Sequence, residues 1–144
     1  MLIMLTINFV VVTLSVIVHY EFLHLLSVYL PKIRIKTRLK VVFGILGSLA
    51  AHIIEVWIFA AAYYGLIQLG TFGNLEGNFT HSILDCAYYS ITTYTSLGTG
   101  DIQPTGDIRF LAGIEALCGL VLITWSASFM FIEMQKYWKT DDNA

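Results

Sequence analysis

Residues 92–104 read TTYTSLGTGDIQP, a run of threonines, alternating glycines and an aspartate set between long apolar segments. Irregular backbone is tolerated at membrane depth only where protein covers it or where it lines a water-filled path. Its flanks are membrane-grade. A bilayer-crossing helix needs about 20 residues, and three apolar segments meet that length: Leu2 to Leu30, Val41 to Leu69 and Phe110 to Phe131. A fourth, Ser82 to Tyr94, is too short to cross. It predicts a helix that dips part-way in and returns through the glycine-rich run.

The bulk composition agrees. Of 144 residues, 57% are hydrophobic and 12% charged, with a net charge of -2. That balance is far from a soluble domain's, and the few basic residues offer no nucleic-acid footprint. Cys86 and Cys118 lie in apolar surroundings without metal-type spacing, so both read as free buried thiols. The N-terminal stretch MLIMLTINFVVVTLSVIVHYEF lacks the charged start and small-residue cleavage pattern of a signal peptide, so it is expected to stay as the first span. The fold class expected is therefore all-α and transmembrane, with three spanning helices plus a re-entrant helix and loop.

Between the first two spans, PKIRIKTRLK places Lys32, Arg34, Lys36, Arg38 and Lys40 within ten residues, whereas residues 70–81 carry no Lys or Arg. Cytoplasmic loops are the ones enriched in Lys and Arg. Residues 31–40 are thus expected inside, the N-terminus outside, residues 70–81 outside and the C-terminus in the cytoplasm, in a multi-pass protein of the cell (inner) membrane. The organisation that follows is a first helix over 1–30, the basic loop over 31–40, a span, re-entrant loop (82–104) and span over 41–137, and a short cytoplasmic tail over 138–144.

Gly98 and Gly100 flank Thr99, and glycine adopts backbone angles closed to other residues. Such an alternation points successive carbonyls to one side, where they replace the water shell of a cation. Here the chain resembles the tetrameric potassium channels, whose pore loop carries T-T-V-G-Y-G-D. Thr95, Ser96, Leu97, Gly98, Thr99, Gly100 and Asp101 occupy those positions without a gap, YYSITTY is similar to the family's pore helix, and GIEALCGLVLITWSASF is similar to its inner helix. The resemblance covers about 41–137, and the first helix is additional to it.

The resemblance implies a homotetramer, an ion filter over residues 95–101, a hinge at Gly119, and pore-lining positions at Leu120, Ile123, Thr124, Ala127 and Phe131. It implies passive conduction of monovalent cations, potassium ions in the filter, no required cofactor and no enzymatic activity. Two positions depart from the family. Thr99 replaces the filter tyrosine that is braced by an aromatic cuff, and Ser96 replaces a threonine, so both potassium-selective and non-selective conduction fit. The distance from Asp101 to Gly119 is one residue short of the family's, which predicts a tight turn near TGDIR or a shifted hinge.

Ionisable groups inside spans are costly and mark function by default. His19, Glu21, His24, His52, Glu55 and Glu115 are such groups. Glu21 with His24, and His52 with Glu55, are three apart and share a helix face, and at about 1.5 Å rise per residue the two pairs overlap in depth. Glu21, His24, His52 and Glu55 are therefore expected to meet. Three readings stay open for them: a zinc or iron site, which could serve a metal-binding protein or intramembrane metalloenzyme, a hydrogen-bonded lock between helices, or a proton sensor. Glu115 is expected behind the re-entrant helix, hydrogen-bonded near Thr92 or Thr93, or else facing the pore as a charge that attracts cations.

Overall fold

The computed structural model describes the backbone of residues 2–141 and the side chains of residues 2–136. Helix α1 spans Leu2–Tyr29 and ends in a single 3₁₀ turn, Leu30–Lys32, where Pro31 cannot continue the helix. Helix α2 spans Thr37–Leu69 and closes on Gly70, whose left-handed backbone (φ 66°) directs its N–H to the Ile67 carbonyl. Strand β1 (Leu75–Gly77), helix α3 (Ile83–Tyr94), strand β2 (Ile102–Pro104) and helix α4 (Ile108–Asp141) complete the chain. Three segments, Leu2–Lys32, Thr37–Leu69 and Ile108–Lys136, are long and apolar enough to cross a membrane, with mean hydropathies of 2.3, 2.0 and 1.8. The protein is an all-α transmembrane chain.

Two of the long helices, α2 and α4, run past the ends expected for their apolar segments. α2 starts at Thr37 rather than Val41, and α4 continues through Asp141, beyond the 137 boundary expected for the pore unit. Residues 142–144 of the expected tail lie outside the described residues.

α1 buries one stripe, Met4, Asn8, Val11, Ser15, His19 and Leu23, spaced three or four apart. That spacing keeps the stripe on one face of the helix. It packs on both α2 and α4. The pairing with α2 is antiparallel: Leu26 lies against Gly47 and His19 against Glu55. The basic connection therefore sits at one end of the bundle. The connection containing β1 sits at the other.

At that other end β1 and β2 form a two-stranded antiparallel ribbon, with Leu75 opposite Pro104, Glu76 opposite Gln103 and Gly77 opposite Ile102. The ribbon was not foreseen from the sequence. The tight turn expected near residues 105–109 is present: the Asp107 and Ile108 amides both donate to the Phe72 carbonyl, at 2.7 and 3.2 Å, and α4 starts at once.

α3 begins on Ser82, whose hydroxyl accepts from the Asp85 amide at 3.0 Å. The Asp85 carboxylate in turn accepts from the amide and hydroxyl of Thr80. Those Thr80 hydrogen bonds, side chain first, hold the Asp85 carboxyl below its ordinary value. Twelve residues make α3 too short to cross, and it lies packed between α2 and α4.

Candidate functional site

Where α3 ends, the glycine-rich stretch begins. Thr95 is the last residue with helical angles, and Ser96 turns left-handed at φ 57°. The Ser96 amide donates to the Thr93 carbonyl at 2.9 Å and the Leu97 amide to the Thr92 carbonyl at 2.9 Å. This pair of bonds is the Schellman closure of a helix, normally built on glycine. Serine here accepts a strain of about 1 to 2 kcal/mol. Gly98 and Gly100 are left-handed as well, at φ 56° and 79°, whereas Leu97 and Thr99 are not. Every second residue from 96 to 100 thus has positive φ. Within this stretch the Ser96, Leu97 and Gly98 amides all turn back to the Thr93 and Thr92 carbonyls at the end of α3.

The C-terminal end of this stretch is held by side chains. Thr99 Oγ1 donates to Asp101 Oδ1, and the Tyr88 hydroxyl lies 3.1 Å from Asp101 Oδ2 and 3.2 Å from Thr99 Oγ1. The Thr99 hydrogen bond, reinforced by that of Tyr88, keeps the Asp101 carboxyl below its ordinary value. Tyr88 thus ties the Thr99 and Asp101 side chains to α3, although Thr99 stands in the tyrosine position of the family. The Asp101 carbonyl also accepts from the Asn78 amide at 3.0 Å, beside the ribbon.

Gly119 has a requirement other than hinging. A Cβ built there would lie 2.1 Å from the Tyr94 carbonyl oxygen, so α4 approaches the end of α3 as closely as backbone permits. The α4 helix is continuous through this point. Leu120, Ile123, Thr124, Ala127 and Phe131 all lie on its exposed surface, whereas Glu115, Cys118, Leu122, Ser126, Met130 and Glu133 form the buried stripe.

Two hydrogen-bonded clusters of buried polar groups lie among the helices. In the first, Glu55 is fully buried and has partners in three directions: His19 Nδ1 is 2.9 Å from Oε1, His52 Nδ1 is 3.1 Å from Oε2, and the Tyr94 hydroxyl donates to Oε2. His52 Nδ1 is also 2.9 Å from the Tyr94 oxygen, and His19 Nε2 faces Ser126 Oγ at 3.4 Å. Four helices meet at this point.

The expected set of Glu21, His24, His52 and Glu55 is therefore corrected: His52 and Glu55 are in the cluster, while Glu21 and His24 are exposed on α1 and His19 takes their place. Depth was right and rotation was not. At 100° per residue, Glu21 lies about 160° around the helix from His19 and His24 about 140°. The readable signal was the position of His19, four residues from both Ser15 and Leu23 in the buried stripe. Tyr94 and Ser126 were missed because neither is ionisable near neutrality, so neither stood out as costly in a span.

In the second cluster, Glu115 is fully buried against α3, as expected, but its partners are not Thr92 or Thr93. The Tyr63 hydroxyl donates to Oε2 at 2.5 Å, and the Ser90 hydroxyl is 2.5 Å from Oε1 and 2.9 Å from the Val56 carbonyl. Thr92 directs its hydroxyl to the Tyr89 carbonyl instead. Ser90 lies four residues before Tyr94 and four after Cys86, on the α3 stripe that faces inward.

No curated protein and no solved structure matches this chain. A family model described as Ion channel matches residues 51–136, the stretch from the middle of α2 through α3 and the glycine-rich loop to the last turns of α4. With that match over more than half its length, the chain belongs to the ion channel family, and is a channel rather than an enzyme.

Proposed function

We propose that four copies of this chain surround a single axis and conduct potassium passively across the cell membrane. One loop cannot enclose an ion, so a filter made of these loops needs several copies. In this reading the ion exchanges its water for the carbonyls of Ser96, Leu97, Gly98 and Thr99 and the Ser96 hydroxyl. The observation that carries it is the positive φ at Ser96, Gly98 and Gly100, the backbone alternation that a carbonyl filter requires. The C-terminal end of α3, with its partial negative charge, abuts the start of this stretch and favours a cation there. Leu120, Ile123, Thr124, Ala127 and Phe131 face the pore or neighbouring copies, and the basic loop 31–40 and the C-terminus face the cytoplasm.

A non-selective pore is the second reading, and Thr99 in the family's tyrosine position favours it. Tyr88 counts toward selectivity, because its hydroxyl reaches Thr99 and Asp101 and restricts how far the filter end can widen.

Flux through liposomes holding the purified protein separates these cases. Faster passage of potassium than sodium supports the first reading. Equal passage selects the second, and no flux of either ion from well-incorporated protein rejects conduction through this loop.

A further inference from the structure

The channel reading leaves unused the first cluster, a fully buried carboxylate flanked by two imidazoles. His19, His52 and Glu55 each offer one ligand atom, and these three atoms lie within 4.8 Å of one another. We infer that His19, His52 and Glu55 form a binding site for a zinc-class divalent transition metal, placed at the junction of α1, α2, α3 and α4. Two imidazole nitrogens and a carboxylate oxygen are a donor set suited to zinc. Three atoms no farther apart than 4.8 Å surround a point about 2.8 Å or less from each, so side-chain shifts of less than about 1 Å reach the 2.0–2.2 Å of zinc coordination.

Three further observations favour a metal. His19 Nε2 faces Ser126 Oγ at 3.4 Å. With Nε2–H donating to that serine, Nδ1 turns its lone pair to the ion, the outer-shell arrangement typical of metal-bound histidine. The Tyr94 oxygen, 2.9 Å from His52 Nδ1 and bonded to Glu55, stands at the edge of the set, where it or a water completes four-fold coordination. The third is room beside the set for a coordinating water. His52 is only partly covered, its side chain 16% exposed, and it lines an apolar cavity of about 390 Å³ with Leu49, Trp57, Ile91 and Tyr94.

The site would tie the filter to the additional helix. Tyr94 directly precedes Thr95, and an ion held by α1 and α2 beside its hydroxyl fixes the inner end of the filter stretch from behind.

The test uses the full-length protein in detergent, stripped with a chelator and titrated calorimetrically with Zn²⁺, an assay that needs no ion flux and so is independent of the conduction reading. One zinc per chain is expected. Losing an outer-shell partner typically costs 10–100-fold, so Ser126→Ala should weaken binding about 10-fold and His19→Gln or His52→Gln by more. Glu21→Gln and His24→Gln should bind as the parent does. Co²⁺ added to the unmutated protein should give the visible absorption of a four-coordinate nitrogen and oxygen site, which keeps the proposal testable if a ligand variant fails to fold. No binding, no such absorption, or weakening by His24→Gln but not by His19→Gln would overturn it.

Discussion

The carbonyl of Tyr94 faces the α-carbon of Gly119 so closely that no side chain fits between them. This contact joins the last turn of α3 to the middle of α4, one residue before the filter stretch. Gly119→Ala places its methyl 2.1 Å from the Tyr94 oxygen, and the obstacle is backbone, which cannot swing aside. We expect it to destabilise the protein by about 1 to 3 kcal/mol, seen as a lower unfolding temperature in detergent. Gly113→Ala meets nothing within 4 Å and should be neutral or slightly stabilising. A hinge-only role for Gly119 would leave its alanine variant as stable as the parent.

In the filter stretch, stability and conduction should separate. Gly98→Ala and Gly100→Ala face no neighbouring atoms but force alanine to φ 56° and 79°, angles it adopts only with strain. Both should abolish flux while leaving the helical content of the chain unchanged. Ser96→Gly should do the opposite for stability, raising it by up to about 1 to 2 kcal/mol because glycine suits the left-handed closing position. Thermal unfolding and liposome flux on the same preparations check both.

Acid should loosen the Asp101 end of the proposed filter. Asp101 is held below its ordinary value of 3.8 by its Thr99 and Tyr88 hydrogen bonds. The contribution of these contacts is full above that ordinary value and is lost as pH falls through the lowered one. Conduction should therefore be insensitive to Asp101 from neutral pH down to about pH 5 and change only in stronger acid. Tyr88→Phe should narrow the difference between potassium and sodium flux at neutral pH, and Thr99→Tyr, which restores the family residue, should widen it. An unaltered permeability ratio in Tyr88→Phe would show that the hydroxyl does not brace the filter.

Proton accounting sets the expectation for Glu115. Ser90 has one hydroxyl proton and two acceptors in reach, the Val56 carbonyl and Glu115 Oε1, so both contacts are made at once only when Ser90 donates to Val56 and accepts from a protonated Glu115. Glu115→Gln supplies a permanent donor there and still accepts from Tyr63, and should unfold within a few degrees of the parent. Glu115→Ala leaves the Tyr63 hydroxyl without its buried acceptor and should cost about 1 to 3 kcal/mol. Equal destabilisation by the two variants would contradict this accounting.

Membrane orientation is open to a direct check. Single cysteines at positions 36 and 76, in a background lacking Cys86 and Cys118, should react with an impermeant reagent on intact cells at 76 and not at 36. The reverse pattern would invert the assignment.

The elements that were legible in the sequence are those governed by length and hydropathy. The spans needed only runs of about 20 apolar residues, and α3 showed itself by being too short. Gly98 and Gly100 announced left-handed backbone, but Ser96 did not, since its angle follows from closing α3 onto the Thr92 and Thr93 carbonyls. The polar cluster was half readable. Counting residues gives depth, whereas which side chains meet depends on how each helix is rotated, and that is set by the whole buried stripe of α1. The ribbon was hidden because three-residue strands carry no periodicity.

That ribbon has a mechanical consequence. By pairing Gly77 with Ile102 it closes the chain from Asn78 to Asp101 into a loop with a clasped base. The re-entrant helix and the glycine stretch are then not two arms that splay independently. A displacement of the C-terminal end of α2 reaches them through the same clasp as a displacement of α4, so the loop is carried as one piece and motion of either helix is felt at its rim.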